Sequence, residues 1–441
     1  MRSRRSEVSQ ALAHAFLAGT WHMRSLMARG DTAVGSGEAW LRELAFAVVQ
    51  RWPEPPLHRA EQLSDFIAAN AFFQDAWRRK EIPRGRPKLL LFHRKMGARR
   101  WPVRKLDTVG DVAAWLEVDP SALSWFADTR GLERAAPAEA LNHYRRRWVE
   151  RGERLPRLLE APKDRLKAMQ RRILDEVLGP IPVHDAAHGF VPGRSVLTHA
   201  ALHVGREFVV RFDLESFFTN VATWRAHGVF LAAGYSSQVA AVLLGLCTTR
   251  TPEVVLREAP RAETLTTERF FLQRRLADWH LPQGAPTSPA LANLAAWSLD
   301  LRLAAAARQR KLTYSRYADD LVFSGPATCS AGTLTQLVTL IARDEGFRIN
   351  AHKTRVMRAH QQQRVTGVVV NVKPNISRAE FDSLKALLHR CRLKGPLSQS
   401  TGRVEDFRAT LQGRISWVTQ LSAARGAKLQ REFDALQWGE V

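Results

Sequence analysis

Apolar residues recur at helical spacing through roughly the first 75 positions. The pattern is clearest over Glu38–Arg51 and Ala60–Trp77, with Pro53, Pro55 and Pro56 breaking the chain between them. Two shorter runs, Asp111–Leu116 and Ser121–Asp128, flank Val118-Asp119-Pro120 and predict a pair of short helices with Asp or Ser as N-caps. The pair has a helix-turn-helix outline, which in a helical domain is first of all a packing arrangement. From Phe208 onward the texture changes. Near-alternating runs predict strands over Glu207–Asp213, Leu312–Arg316 and Leu321–Ser324, interleaved with helices, one of which starts near Ser288. After Pro374 the chain reads as helical again, over Ser377–Leu393 and Val404–Leu421, and no repeat or low-complexity tract interrupts it.

Charge narrows the choice of partner. The 441 residues hold 66 Lys and Arg against 43 Asp and Glu, a net charge of +23, with a pI near 11.0. Such an excess leaves the fold open but favours an acidic partner, nucleic acid before an anionic membrane surface. At 45% hydrophobic and 25% charged, the composition excludes a disordered tail, and the length predicts two or three domains. Arg78–Lys105 carries twelve Lys or Arg against Glu81 alone, with Trp77, Phe92, His93 and Trp101 interleaved, which suits a nucleic-acid backbone. A second basic region opens at Arg145-Arg146-Arg147 and runs to Arg172. Cys247, Cys329 and Cys391 lie far apart, so neither a disulfide framework nor a CxxC zinc site is expected, and a reducing compartment follows. The basic N-terminus lacks a leader-like cleavage site, and no run nears the roughly 18 apolar residues of a spanning helix. A cytoplasmic protein with no membrane partner is the expectation.

The sharpest feature is Tyr317-Ala318-Asp319-Asp320, set between two strand-like flanks so that its centre predicts a hairpin turn. Adjacent carboxylates repel unless a cation neutralises them, which makes such a turn a natural metal platform. Asp213 ends another predicted strand, where a lone acid is costly unless it is paired or bound to a cation. With that strand beside the hairpin, Asp213, Asp319 and Asp320 would converge. Three acids suit two divalent ions ~4 Å apart that stabilise the attacking and leaving oxygens of phosphoryl transfer.

Phe212-Asp213-Leu214-Glu215-Ser216-Phe217-Phe218, Leu281-Pro282-Gln283-Gly284-Ala285-Pro286-Thr287-Ser288-Pro289 and Tyr317-Ala318-Asp319-Asp320 resemble, in this order, the catalytic motifs of reverse transcriptases. His188-Gly189-Phe190-Val191-Pro192-Gly193-Arg194-Ser195 and Glu160-Ala161-Pro162-Lys163 through Arg172 resemble fingers motifs of the bacterial enzymes. Val365-Thr366-Gly367 resembles the VTG element of the retron type, and His199-Ala200-Ala201-Leu202-His203 its NAxxH element with His in place of Asn. The likeness covers about residues 150 to 440. It implies an α+β right-hand polymerase fold: a helical basic extension over 1–140, fingers and palm over 141–372 with palm strands around 206–220 and 312–372, and a helical thumb over 373–441.

The resemblance also implies roles. Asp213, Asp319 and Asp320 would carry two Mg²⁺ ions, with the Leu214 carbonyl as a further ligand, and Lys353 would protonate departing pyrophosphate. Phe218 would exclude a ribose 2′-hydroxyl, so that dNTPs are the substrates, and Gln283-Gly284 would lie over the incoming base and sugar. Lys163, Arg172 and Arg194 suit triphosphate or template phosphates. Tyr317 would pack near the primer end, His199 and His203 would contact RNA or pack, and Arg390 and Arg414 would help a thumb grip the duplex. The implied activity is RNA-directed DNA synthesis on a structured non-coding RNA, primed by an RNA 2′-hydroxyl to give a branched RNA–DNA hybrid (msDNA), in anti-phage defence. A cellular RNase H and a separate effector protein are the expected partners. The alternatives are a group II intron or stand-alone defence reverse transcriptase, the intron type being disfavoured by the short segment after Gly367, and a non-catalytic nucleic-acid-binding regulator using the Asp111–Asp128 helix pair.

Overall fold

The computed structural model describes residues 4–18, 21–35, 39–56, 60–83, 96–129, 131–133, 141–152, 154–260, 266–400 and 404–438. The middle of the basic stretch, 84–95, lies outside them. The chain divides into two units, Met1–Pro182 with Phe218–Ala295, and Val183–Phe217 with Ala296–Val441. Among the described residues no helix is long and apolar enough to cross a membrane.

In the first unit, helices Arg4–Leu17, Met23–Val34, Ala39–Arg51, Ala60–Ala69 and Ala71–Arg78 close around Leu12, Phe16, Leu26, Leu41, Leu44, Leu63, Ile67 and Phe73. Each such side chain contributes about 1.5–3 kcal/mol by leaving water. The single helix expected over Ala60–Trp77 is two. The Asn70 side chain accepts the Phe72 N–H at 3.0 Å and starts a new helix there. The short pair forms as Val109–Leu116 and Pro120–Phe126, the first starting two residues earlier than expected because Thr108 and Asp111 build a capping box. Both helices bury their apolar sides (Val112, Trp115, Leu116; Leu123, Phe126), the packing outcome.

The basic run at Arg145–Arg147 belongs to an antiparallel pair that the sequence reading lacked, β1 (Tyr144–Arg151) with β2 (Arg154–Pro162). Arg145 and Arg147 face outward. Arg146 turns inward, its side chain only 3% exposed, to Glu160 (3.1 Å), Glu133 (3.4 Å) and the Thr249 hydroxyl (2.9 Å).

The second unit is built on an antiparallel sheet of β3 (Phe208–Asp213), β4 (Thr313–Tyr317), β5 (Asp320–Gly325) and β6 (Arg355–Arg358), in the order β4-β5-β3-β6. Alternation sorts its residues. Phe208, Val210, Phe212, Leu321 and Phe323 point to one face, where the rings of Phe212 and Tyr314 lie 5.8 and 4.8 Å from Phe323. Val209, Arg211, Asp213, Asp320, Val322, Ser324 and Ser315 share the other face. Val209 and Val322 join a core with the hairpin of β7 (Arg364–Val365) and β8 (Val368–Val369) and with helices Arg378–Lys394, Val404–Leu421 and Ala423–Asp434. Trp417 packs at the edge of that core.

Candidate active site

The register of β3 on β5 puts Asp213 directly opposite Asp320, at the end of the sheet. Tyr317 pairs with Asp320 across β4 and β5, so the hairpin loop is Ala318-Asp319. Ala318 takes φ +55°, a left-handed conformation that costs a residue with a Cβ about 1–2 kcal/mol. The loop is tied to β3 by the Leu214 N–H, which donates to the Asp319 carbonyl at 2.8 Å. Leu214 itself pairs with Ile349. The hydrogen bonds of that pair are made by its neighbours, from Asn350 N–H to the Asp213 carbonyl (2.8 Å) and from Glu215 N–H to the Arg348 carbonyl (2.9 Å). The pairing therefore does not engage the Leu214 carbonyl.

Like charges facing each other across a sheet destabilise it. Each facing carboxylate here has its own cation. Lys353 Nζ donates to both oxygens of Asp213 at 2.8 Å, from a turn of 3₁₀ helix (Ala351–Lys353) that Asn350 caps. Arg211, two residues before Asp213 on the same strand face, donates Nε to Asp320 at 2.9 Å. Burial pushes the Asp320 pKa up to about 6; Arg211 opposes this, and the charges of Asp319 and Asp213 add to it. Among the described residues no three Asp, Glu, His or Cys side chains stand grouped as ready metal ligands, and Asp213 and Asp320 are each paired with a cation of the chain. The donor set nonetheless fits a hard divalent ion. It is all carboxylate oxygen, the charges of Asp319 and Asp213 raise the proton affinity of Asp320, and Asp213 already meets a cation through both oxygens.

Beneath the turn lies a fully buried ion pair. The Arg316 guanidinium meets Asp300 in a two-pronged contact, Nε to Oδ1 at 2.8 Å and Nη2 to Oδ2 at 2.6 Å, and both side chains are 0% exposed. Tyr314 donates its hydroxyl to Asp300 at 2.8 Å, and the third guanidinium nitrogen, Nη1, donates to the Ala318 carbonyl at 3.1 Å. Helix Trp297–Gln309 is thereby bonded to the loop that presents Asp319. From another side, His188 N–H donates to the Arg316 carbonyl (2.7 Å), and a Cβ on Gly189 would stand 2.6 Å from Ala318 N. Only glycine fits so close to that backbone.

The two histidines of the helical segment after Ser195 are buried. His203 bridges the hydroxyls of Ser324 (2.7 Å) and Ser315 (2.6 Å), and burial lowers its pKa to about 3. The His199 ring lies 5.7 Å from that of Tyr317, its Nδ1 is 3.4 Å from the Thr366 hydroxyl, and burial lowers its pKa to about 2. Of the two roles weighed for them, the geometry is that of packing.

Residues 152–370 match the family model described as reverse transcriptase (RNA-dependent DNA polymerase). Over 324 residues the chain is 40% identical to the retron Mx65 reverse transcriptase of Myxococcus xanthus, covering 74% of this chain and 70% of that one. The chain belongs to the retron reverse transcriptases. The retron Mx162 enzyme of the same organism is 35% identical over 361 residues (78% and 70% covered), and the retron Ec86 enzyme of Escherichia coli 31% over 238 residues (54% and 66%). A solved telomerase from Candida albicans aligns at TM-score 0.37 and 11% identity, over 72% of this chain and 59% of that one, and adds no weight. This reverse transcriptase is thus an RNA-directed DNA polymerase of α+β right-hand fold that uses an RNA template, and its family implies dNTP substrates and a divalent metal such as Mg²⁺.

The remaining sequence-selected residues of this reverse transcriptase have varied surroundings. Arg194 donates to the carbonyls of His184, Asp185 and Ala187, and so holds its own loop. Arg172 pairs with Glu117 at 2.9 Å and lies over the Trp115 ring. Lys163 is half-buried at the start of helix Asp164–Ile173. Phe218 is half-buried in the first unit, where its carbonyl accepts the Val221 N–H. The Gln283 carbonyl accepts the Glu160 N–H at 2.9 Å, and Gly284, at φ +134°, passes where a Cβ would be 3.0 Å from the Glu160 carbonyl oxygen. Arg390 and Arg414 are exposed, Arg390 donating to Gln399.

Sequence reasoning missed the residues that hold these elements in place. Glu160 binds His280 (2.7 Å), Thr251 (3.0 Å) and Arg146 (3.1 Å) beneath the Gln283 loop. Burial raises the Glu160 pKa, but His280 and Arg146 outweigh it and the net shift is downward. Arg211 had a visible signal, since it alternates with Asp213 on one strand face. Asp300 had none.

Proposed function

We propose that this reverse transcriptase extends an RNA 2′-hydroxyl on a structured non-coding RNA, yielding a branched RNA–DNA hybrid (msDNA) that serves anti-phage defence with a separate effector. Its likeness to retron enzymes supports the RNA-linked product. A cellular RNase H removes the copied template, and the reaction is cytoplasmic. The working division is an N-terminal extension over 1–140, fingers and palm over 141–372, and a thumb over 373–441.

The observation that carries the chemistry is the facing of Asp213 and Asp320 beside the Ala318-Asp319 loop. Asp213, Asp319, Asp320 and the Leu214 carbonyl would hold two Mg²⁺ ions. When bound, these ions supply activation of the primer hydroxyl and neutralisation of the triphosphate. Lys353 delivers a proton to the leaving pyrophosphate. Phe218 excludes the ribose 2′-hydroxyl, Gln283-Gly284 support the incoming nucleotide, and Lys163, with Arg172 and Arg194 once their present contacts are given up, meets phosphates. Tyr317 backs the primer end, and Arg390 and Arg414 follow the duplex backbone.

Two measurements test this reading. Primer extension on RNA should fall at least a thousandfold in Asp319→Asn/Asp320→Asn, as for loss of a catalytic constellation (on the order of 10³–10⁶); equal activity in wild type and variant refutes the chemistry. Sequencing nucleic acid that copurifies from the native host should find DNA joined to RNA by a 2′–5′ bond that a debranching nuclease cleaves. A linear product refutes the priming.

A further inference from the structure

Phe190 follows Gly189, and two of its properties oppose ordinary preference. Its large apolar side chain is 55% exposed, and its backbone stands at φ +60°. Bulky residues rarely adopt that conformation. The loop around it is firmly held. Arg194 donates to three carbonyls of residues 184–187, His188 is bonded to Arg316 through its N–H and to Thr198 through Nδ1 (3.1 Å), and Ser195 and Thr198 form a capping box at the far end. Gly189 itself is wedged on the hairpin, its would-be Cβ 3.3 Å from the Tyr317 ring and 2.6 Å from Ala318 N. A partly exposed aromatic residue therefore stands one residue from a contact with the Ala318-Asp319 loop, on a backbone held against its own preference. Strain of this kind persists where the surroundings over-determine it, and it collects at functional positions.

The partner follows from the setting. A polymerase must hold a base pair of any sequence at its reacting end, and aromatic stacking meets that need because every base has a π-face. The chain's +23 charge supplies attraction for the phosphates but no grip on the bases. We propose that Phe190 is a stacking platform for a nucleobase of the template–primer beside the Asp319–Asp320 turn, and that it sets affinity for the nucleic acid. The proposal rests on reading that turn as the polymerising centre.

The test uses full-length protein and a fluorescently labelled RNA-template/DNA-primer duplex with an overhang. Binding is followed by anisotropy, and kcat and KM by single-nucleotide extension. Phe190→Ala and Phe190→Leu should each weaken duplex binding by about 5- to 150-fold, the range for loss of one base–aromatic stack, with kcat within about threefold of wild type. Phe190→Trp should bind within about twofold of wild type. Leucine keeps the apolar bulk without the π-face, so full binding by Phe190→Leu overturns the proposal, as does full binding by Phe190→Ala. A kcat loss with unchanged binding also overturns it, because Phe190 would then act only through the turn. Asp320→Asn is run in parallel. If it extends primers normally, the reading of the centre fails, while the binding comparison at Phe190 still gives its own answer.

Discussion

Replacing Asp300 by alanine would leave the Arg316 guanidinium in a fully buried position without its counter-charge. Breaking one side of a buried pair costs roughly 3–5 kcal/mol, because the remaining charge is left in a poor dielectric. For a unit of 150–250 residues each kcal/mol moves the melting temperature by about 2–4 °C, so Asp300→Ala should melt roughly 6–20 °C below wild type. Stability is only half of the argument. Arg316 also donates Nη1 to the Ala318 carbonyl, and no apolar substitute reproduces that bond. The double variant Asp300→Leu/Arg316→Met should regain most of the lost stability, since apolar replacement of a buried pair is often neutral. Its extension rate should stay at least about tenfold low at a temperature where both proteins are folded, because a turn displaced by even ~1 Å can cost 10²-fold. Circular-dichroism melts paired with primer extension at 25 °C separate the two effects. The reasoning is refuted if Asp300→Ala melts within about 2 °C of wild type, or if the double variant polymerises at the wild-type rate.

Gly189→Ala forces a Cβ to 2.6 Å from Ala318 N, and kcat should drop about 10–100-fold with little change in dNTP KM; wild-type kinetics would show that the loop yields. His203 titrates at about 3 when folded, against its ordinary 6.5, through burial first and then Arg206 and His188. Above pH 6.5 it is neutral in both states and costs nothing. Below that pH the unfolded chain takes a proton that the folded protein refuses, so stability falls by about 1.4 kcal/mol per pH unit and by about 2 kcal/mol at pH 5. Urea unfolding of His203→Gln between pH 7 and 5 should show a shallower loss than wild type, and identical slopes would contradict the assignment. Phe218→Ala should raise incorporation of rNTPs relative to dNTPs by on the order of tenfold or more; unchanged sugar discrimination in single-nucleotide assays removes its role.

What was legible in the sequence follows from period and polarity. The hairpin at Thr313–Gly325 and the strand ending at Asp213 were visible because apolar residues alternate there and two acids interrupt them. The pairing of Asp213 with Asp320 was not visible, since register is a property of the assembled sheet. β1 was hidden because three successive arginines read as a solvated run, although Arg146 lies inside on Glu160. The split at Asn70 escaped because apolar spacing continues across it, and only the capping bond reveals the break. Asp300 and Arg316 escaped for the same reason as Arg146: charged types are almost never fully buried unless paired, and pairing is invisible along the chain.

The two cations at the facing carboxylates are not equivalent. Arg211 stands on β3, its planar fork aligned by the strand that also carries Asp213, and it meets Asp320 through a single nitrogen. Lys353 reaches Asp213 from a short 3₁₀ turn, with its side chain 39% exposed. An ammonium on a flexible four-carbon stem swings away at little cost, whereas a guanidinium fixed to a sheet does not. Lys353 is therefore the exchangeable counter-ion and Arg211 the permanent one. A divalent ion held by Asp213, as proposed, would have to take the place of the ammonium on both carboxylate oxygens. The same residue can pair with Asp213 and, once released, would stand ready as the acid proposed for pyrophosphate, while Arg211 opposes the burial that raises the Asp320 pKa.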